Sequence, residues 1–401
     1  VLEPAEVPGS ALVSVTTSNA TAAHIDGLQL SHDTWASGAA SYPTYTVYTP
    51  PGYYDTLPEG YPVIYALHDV GGDDLSVLGG KTMGQQAASG LHQVVETLVN
   101  TGNLAPMIVV GVNGMSHGYG SYFITSILEN GSPAFGDFQS YLMGIITEVE
   151  ATYNTATSPE GPQNRALLGV GMGGFGALHS AAAHPMFSAV VVHSGLLSLA
   201  DLLSPDATVA ANYAAGEVDG SLISEVLAVW EAAHGTTALD GRLVELVGPG
   251  QPEVIARLVA MATAFSPILD TLYEFDMMST SKFFTGSAPP DEDPSDNRHY
   301  PMVLHDAKDV GSDLDDEMLG FTLPWTAVGE IDSDIWELWA AHEPLTALQS
   351  AADALVAADT DFYIDAGLSD ERGFADQVEG FVALASLSVG PEQFTLDLYQ
   401  G

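Results

Sequence analysis

The sequence Asn164-Arg-Ala-Leu-Leu-Gly-Val-Gly-Met-Gly-Gly-Phe-Gly176 decides how the fold of this chain is interpreted. Its first part, residues 165–170, is an apolar run of the length of a strand. Residues 169–174 are dense in glycine and predict a sharp turn, because glycine accepts backbone conformations that other residues avoid. Residues 177–184 are rich in small side chains and predict a helix that ends before Pro185. The stretch therefore predicts a strand that turns abruptly into a helix.

A strand that turns sharply into a helix is the setting of the nucleophile elbow, G-x-S-x-G, in which a strained turn presents a serine above a sheet. The matching pentapeptide is Gly169-Val-Gly-Met-Gly173, and Gly171 stands in the position of the serine. Glycine has no side chain and so no oxygen that could attack an acyl group. The sequence predicts the backbone of the motif without its nucleophile.

Apolar runs of strand length alternate with helical patterns on both sides of this turn. The runs PVIYAL at 62–67 and MIVVGV at 107–112 are typical of strands buried on both faces of a parallel sheet. The alternation predicts an α/β protein with a doubly wound, mostly parallel sheet, right-handed crossovers and helices on both faces. Further strands are predicted at 45–49, 189–193, 361–364 and 394–399, and helices at 84–100, 137–153, 221–234, 251–264, 345–357 and 374–387.

The pattern divides the chain into four parts. Residues 1–44 predict an N-terminal arm with one or two strands, and residues 45–200 the first part of the sheet core. Residues 201–342 interrupt the alternation and predict a helical insertion that caps the carboxyl edge of the sheet. The core pattern resumes over residues 343–401.

Charge restricts the possible partners of the chain. Its 401 residues include 52 acidic and only 8 basic side chains, for a formal net charge of −44. Such a surface repels nucleic acids and anionic membranes, which require Lys and Arg clusters. It suits high salt, where screening suppresses repulsion between like charges. The sequence contains no cysteine, which excludes disulfides and thiolate sites, and no apolar run reaches membrane-spanning length.

The first residue is Val1 rather than Met, which suggests a processed start and a removed signal peptide. Together with the acidic composition, this predicts a secreted protein of the extracellular space or cell surface, of a halophilic type. The high apolar content beside few basic residues suggests self-association, or a partner in an extracellular matrix.

Three stretches together resemble the α/β-hydrolase esterases of the esterase D type, a group that includes S-formylglutathione hydrolases, feruloyl and enterochelin esterases and secreted mycolyltransferases. Residues 45–52 and 61–72 resemble the opening "Y-x-V-Y-x-P-x-G-Y … YPV-x-Y-x-LHG-x-GG". Residues 164–195 resemble the block "R-x-x-x-G-x-S-M-G-G-x-G-A-L … HP … SG". Residues 363–370 resemble the segment "Y-I-D-x-G-x-x-D", which supplies the catalytic acid. The resemblance implies the α/β-hydrolase fold and an activity in ester hydrolysis or acyl transfer.

The resemblance also assigns positions to the catalytic groups. It places the nucleophile at Gly171 and the acid at Asp370, with Glu371 as the neighbouring option. It makes the backbone N–H groups of Met172 and Val70 the donors of the oxyanion hole. It places the general base just past the last strand, beyond residue 401. Because no nucleophile is present, Asp370 is interpreted as a turn or helix-capping residue.

Three further side chains are expected near the pocket. Asp69 replaces a glycine of the family, and an ionised carboxylate there opposes a developing oxyanion. His68 is interpreted as a structural histidine, with a metal site shared with Asp69 and Asp73 as the alternative. His117 lies on a loop expected beside the pocket. Ser194, which follows a predicted strand, is a less favoured alternative nucleophile.

Two acidic runs offer a weak calcium site, although their spacing is not that of an EF-hand and solvated acidic loops are the alternative. No other cofactor is expected. The candidate ligands are Asp291, Asp293, Asp313, Asp315 and Asp316.

These observations favour a catalytically inactive esterase-like protein, secreted, with a binding or a structural, self-assembling role. The alternative is a carboxylic-ester hydrolase or acyltransferase whose active form carries Ser at position 171 and a His beyond residue 401. A third hypothesis is a module that binds a glycan or a lipid-like ligand in the vacant pocket.

Overall fold

A computed structural model describes most of the chain. The described ranges are 9–17, 44–55, 57–79, 90–116, 120–129, 131, 133–157, 164–203, 222–235, 253–271, 300–305, 317–325, 331–368 and 374–400. The strands are β1 (Ala11–Thr16), β2 (Thr44–Thr49), β3 (Val63–Leu67), β4 (Ile108–Val112), β5 (Thr125–Ile127), β6 (Pro133–Asp137), β7 (Arg165–Val170), β8 (Ala189–His193), β9 (Pro267–Thr271), β10 (Tyr300–His305), β11 (Glu317–Phe321), β12 (Asp361–Gly367) and β13 (Phe394–Tyr399). The helices are α1 (Ser76–Gly79), α2 (Leu91–Asn100), α3 (Phe138–Thr152), α4 (Met172–Ala183), α5 (Leu199–Leu203), α6 (Leu222–His234), α7 (Glu253–Phe265), α8 (Ser333–Ala340), α9 (Pro344–Ala357) and α10 (Phe374–Val389).

An eight-stranded sheet organises the described residues, in the order β1-β2-β4-β3-β7-β8-β12-β13. The six strands from β4 to β13 are parallel, and β1 and β2 add an antiparallel edge. Because β3 and β7 are neighbours, the loop after β3 and the elbow after β7 meet at the carboxyl edge. The predicted doubly wound, mostly parallel sheet is confirmed.

Helices cover both faces of this sheet. On one face α1 and α2 pack on β3 and β4 through a small cluster that includes Leu78 and Val95. The large core lies on the other face and includes side chains of α3, α4, α9 and α10. The predicted amphipathic helix at 137–153 is confirmed as α3, whose buried stripe includes Ile145 and Ile146. Asp137 caps this helix by accepting a hydrogen bond from the N–H of Ser140 at 3.0 Å.

A partly buried ion pair joins the elbow strand to α3. The guanidinium of Arg165, the first residue of β7, donates to both carboxylate oxygens of Glu150, at 2.5 Å and 2.8 Å. The two-point pairing with Glu150 is the main cause of the raised pKa of Arg165. A bidentate arginine–carboxylate pair fixes orientation as well as distance. The pair therefore holds β7 in place at the end of the strand opposite the elbow.

The region between the two halves of the sheet contributes further elements. The strands β10, β11 and β9 form a separate antiparallel sheet in that order. The predicted helices at 221–234 and 251–264 correspond to α6 and α7, and every residue of α7 after Glu253 is buried. The division at residues 44, 200 and 342 stays a prediction. Within the described ranges, no helix is both long and apolar enough to cross a membrane.

Two boundaries differ from the prediction. Helix α4 begins at Met172, five residues earlier than expected, because the glycines after the turn form its first turn rather than extending the loop. Strand β12 continues to Gly367, so Asp365 lies on a strand and not in the predicted turn. The part of the predicted 84–100 helix that precedes Gly90 lies outside the described residues, and α2 covers the remainder from Leu91.

Candidate functional site

The turn between β7 and α4 has the geometry that the elbow motif requires. Gly171 adopts φ 55° and ψ −114°, a left-handed conformation that strains any residue with a side chain. Its N–H donates to the carbonyl of His193 on the neighbouring strand at 3.1 Å, and its own carbonyl accepts from Gly174 at 3.0 Å as the helix begins. These bonds connect strand, turn and helix without an intervening loop.

Glycines allow the helix to approach the sheet closely after this turn. A Cβ on Gly169 would lie 2.0 Å from the carbonyl oxygen of Gly173. A Cβ on Gly173 would lie 2.2 Å from the carbonyl oxygen of Leu67 at the end of β3. Any side chain at either position would force the N-terminus of α4 away from the strand ends.

The two predicted donors of the oxyanion hole converge on one oxygen atom. The N–H groups of Val70 and Met172 both donate to Oδ1 of Asp69, each at 2.8 Å. Val70 follows β3 and Met172 opens α4, so the neighbouring strand ends bring the two donors together. The N-terminus of a helix favours a negative charge. A carboxylate of this chain therefore occupies the place between the two donors.

The same carboxylate fills the space that a side chain at position 171 would need. A Cβ built on Gly171 would lie 2.1 Å from Oδ1, 2.3 Å from Cγ and 2.6 Å from Oδ2 of Asp69. Contacts this short do not occur between real atoms. A side chain at position 171 and the present rotamer of Asp69 therefore exclude each other.

His68 supports the backbone on which Asp69 stands. Its side chain is fully buried, and its Nε2 accepts the N–H of Gly114 at 2.8 Å. Since Nε2 accepts, the proton is on Nδ1, which donates to the carbonyl of Asp69 at 2.7 Å. Burial lowers the pKa of His68 and keeps the ring neutral. His68 thus ties the loop after β3 to the loop after β4 and has no surface open to a pocket.

A histidine–carboxylate pair lies at the carboxyl edge of the sheet, on strands β8 and β12, next to the elbow strand β7. Nδ1 of His193, at the end of β8, lies 2.5 Å from Oδ1 of Asp365 on β12. The ring of Tyr399 stacks on this imidazole with an interplanar angle of 2°, and the Tyr399 hydroxyl lies 3.4 Å from Nε2. The side chain of His193 is 44% exposed, whereas that of Asp365 is 11% exposed. Neither His193 nor Asp365 was predicted as a site residue, because their pairing depends on the adjacency of β8 and β12.

Helix α7 lies against the elbow. A Cβ on Gly120 would lie 2.4 Å from Sδ of Met172 and 3.3 Å from Cβ of Ala260 on α7, so these three residues are in close proximity. Met172 is only 2% exposed. Ser126 extends the contact by donating to the carbonyl of Thr263 at 2.6 Å. The side chain that follows the elbow glycine is therefore enclosed.

The remaining predicted site residues lie outside the described residues: His117, Asp370, Glu371 and the calcium candidates Asp291, Asp293, Asp313, Asp315 and Asp316. In the part of the chain that the structure describes, no group of three or more His, Asp or Glu side chains could hold a metal ion. The suggested metal role of His68 with Asp69 and Asp73 therefore has no such cluster around it, whereas the assignments to residues outside the described ranges stay predictions.

Comparison with known proteins shows the family. The family described as "Putative esterase" matches residues 40–400, a range that includes the region between the two halves of the sheet. No curated protein gives a significant match.

Solved structures with similarity to the chain include a ferulic acid esterase, with 15% identity, 98% of this chain and 90% of that chain covered, and a TM-score of 0.47. S-formylglutathione hydrolase FrmB from Staphylococcus aureus has 11% identity, with 98% and 91% covered and a TM-score of 0.44. MPT51 from Mycobacterium tuberculosis has 13% identity, with 90% and 86% covered and a TM-score of 0.38. The family match over nearly the whole chain and the parallel sheet with its strand–turn–helix elbow lead to one conclusion: this chain belongs to the esterase family and has the α/β-hydrolase fold.

Proposed function

We propose that this chain is a non-catalytic member of the esterase family that works as a secreted binding or structural protein. The observation that carries the proposal is the carboxylate of Asp69, which accepts both N–H groups of the hole and takes the space of a side chain at position 171. Gly171 would then be a replacement of the catalytic serine.

The charge of this carboxylate opposes ester hydrolysis. The hole of an esterase stabilises a negative oxygen that develops on the substrate during attack. When the chain's own carboxylate already accepts both donors, a substrate oxygen has to displace it before it can be stabilised. Removal of a catalytic serine alone lowers kcat by about 10⁶-fold in the well-studied cases. The absent hydroxyl and the filled hole act in the same direction.

An esterase assay with matched variants tests the proposal. The protein, Gly171→Ser, and Gly171→Ser combined with Asp69→Gly are compared on p-nitrophenyl acetate and butyrate. We expect no turnover above background from the protein itself, and none from Gly171→Ser alone, because the new side chain and the carboxylate of Asp69 compete for the same space. Clear turnover by the unmodified protein would reject the non-catalytic proposal, and loss of that turnover in Ser194→Ala would assign the nucleophile to Ser194.

A carboxylic-ester hydrolase or acyltransferase is the second candidate function. The convergence of the Val70 and Met172 N–H groups on one oxygen favours it, because this is the arrangement that an acyl-transfer intermediate requires. In this case the active form carries Ser at position 171 and a His beyond residue 401. A gain of at least about 100-fold over background in the double variant, in a chain extended past residue 401, would favour this candidate, since one well-placed acid–base group contributes about 10² to 10⁴.

The binding role has its own measurements. The candidate ligands are a glycan and a lipid-like molecule, and we expect one of them to raise Tm without forming product. Self-association is expected from the acidic, apolar-rich composition, and size-exclusion chromatography with light scattering at high salt and with Ca²⁺ measures it. A monomer under all of these conditions would contradict self-association and leave the ligand-binding proposal to be decided by the Tm measurements.

A further inference from the structure

An aromatic joint connects the elbow helix to the helices that lie over it. We define the joint as Phe175 and His179 on α4, Phe265 at the end of α7, Trp339 on α8, and His342, which follows α8. Phe175, Phe265 and Trp339 are buried, and the two histidines are partly buried. The joint thus contains two titratable rings in an otherwise apolar cluster.

Each imidazole of the joint stacks on a phenylalanine. His179 lies on Phe175 with ring centroids 4.5 Å apart, and His342 lies on Phe265 with centroids 5.1 Å apart. The two phenylalanines contact each other at 5.5 Å, and Phe265 meets Trp339 edge to face at 5.3 Å. The stacks therefore connect α4 to α7 through Phe265, the last residue of α7.

One hydrogen bond connects the two histidine segments. Nε2 of His179 donates to the carbonyl of His342 at 2.7 Å, and the two rings are 6.3 Å apart. Burial, followed by the nearby charge of His342, lowers the pKa of His179 to about 4, against the raising effect of this hydrogen bond. Burial alone lowers the pKa of His342 to about 4. Both rings are neutral near pH 7, and charging them would place two cations close together among apolar rings.

The other titratable groups around the joint have separate partners. Glu343 follows His342, and its carboxylate accepts the N–H of Leu199 at 3.0 Å. Burial raises the pKa of Glu343, and the charge of Asp201 raises it further, so this group binds a proton more readily in the folded state and opposes loosening in acid. On α4, burial lowers the pKa of His184, while the charge of Asp137 raises it.

We propose that the aromatic joint is an acid-sensitive latch: protonation of His179 and His342 releases helix α7 from helix α4 and uncovers the elbow. Gly120 lies close to both Met172 and Ala260 of α7, so separation of α7 from α4 uncovers Met172, the buried residue that follows the elbow glycine. The latch is independent of whether the elbow binds or catalyses, because its parts lie outside the hole.

The latch is tested by hydrogen exchange measured by mass spectrometry at pH 7.5 and pH 5.0. The ionic strength is kept constant, and the rates are corrected for intrinsic exchange. A shift from about 6.5 in the open state to about 4 in the closed state favours opening at pH 5.0 by up to roughly 30-fold for each imidazole. We therefore expect the amides of α7 to lose protection by about 30-fold if one imidazole controls opening, and by more if both contribute. The double variant His179→Gln/His342→Phe, which keeps a donor and a stacking ring but cannot be charged, should lose less than about threefold on the same scale.

The variant His184→Gln is the matched control, since it removes a histidine of the same helix outside the joint, and it should behave as the unmodified protein does. An equal loss of protection in the double variant, or no loss in the unmodified protein at pH 5.0, would overturn the latch. If the double variant does not fold, NMR titration of the two imidazoles in the unmodified protein decides instead. Titration of either ring near pH 6.5 while α7 stays protected would also overturn it.

Discussion

The first turn and the middle of helix α4 are held by opposite chemistry. At its N-terminus, the N–H of Met172 donates to a carboxylate, so a negative charge stabilises the first turn. One to two turns further on, Phe175 and His179 pack in the aromatic joint, where burial favours neutral rings. One helix thus requires a charge at its start and the absence of charge in its middle. Changes in charge, pH and backbone space should therefore affect these two parts differently.

The largest expected effect comes from backbone space at the N-terminal end. Gly173→Ala brings a methyl group within 2.2 Å of the carbonyl oxygen of Leu67, where neither backbone can move without breaking the elbow. We expect the free energy of unfolding to fall by about 3 kcal/mol or more. Gly380→Ala is the control, because Gly380 lies in α10 with open space around it, and it should stabilise by about 0.5–1 kcal/mol. Urea denaturation measures both, and equal effects would contradict the close approach of helix and strands.

The next effect separates the aromatic joint from the hole by pH. The pKa of His179 is lowered in the folded state, so its contribution to stability is complete above about pH 6.5 and is lost as the pH falls towards 4. Between pH 7.5 and pH 5.0 the loss is up to about 2 kcal/mol for this group. In His179→Gln the decline in stability over this interval should be smaller by that amount, as measured by urea denaturation at the two pH values. An identical decline in both proteins would show that His179 is not held neutral.

The third effect concerns the carboxylate in the hole. Asp69→Ala removes an acceptor shared by Val70 and Met172, and we expect a loss of about 1–2 kcal/mol in the free energy of unfolding. Asp69→Asn keeps an acceptor oxygen without the charge, so its loss should be smaller. Thermal denaturation of the two variants beside the unmodified protein measures the order. If Asp69→Asn is destabilised as much as Asp69→Ala, the negative charge, rather than the acceptor oxygen, stabilises the first turn of α4.

The smallest effect is expected at the second carboxylate of the carboxyl edge. Asp365→Asn weakens the bond to His193, whose side chain is 44% exposed, and screening by solvent limits the loss to under about 1 kcal/mol. Thermal denaturation of Asp365→Asn beside the unmodified protein measures this loss. If Asp365→Asn loses more unfolding free energy than Asp69→Ala, the carboxylate in the hole is not the more strongly held of the two.

The fold was predictable because its signals are local. Apolar runs such as 62–67 and 107–112 indicate buried parallel strands wherever they occur, and the glycines at 169–174 indicate a close turn. The boundary of α4 was wrong because glycine, a poor helix former, was interpreted as loop, although the close approach to β3 requires glycines in its first turn.

The site was predictable only in part. The resemblance to the esterases placed Asp69, Val70 and Met172 in one neighbourhood and implied that a carboxylate there is unfavourable for catalysis. The carboxylate lies between the two donors because of the rotamer of Asp69 and because Gly171 has no side chain in that space. No local sequence pattern predicts this rotamer. The pairing of His193 with Asp365 joins residues 172 positions apart and follows only from the adjacency of β8 and β12.

The mutual exclusion between Asp69 and a side chain at position 171 has a consequence for comparing sequences. The two positions form a linked pair, since a serine at the second position needs either a small residue at the first or an acid turned away from the hole. An alignment of relatives can be sorted by this pair alone. We expect chains with glycine beside the histidine and serine in the elbow to form one group, and chains with the acid and glycine to form the other.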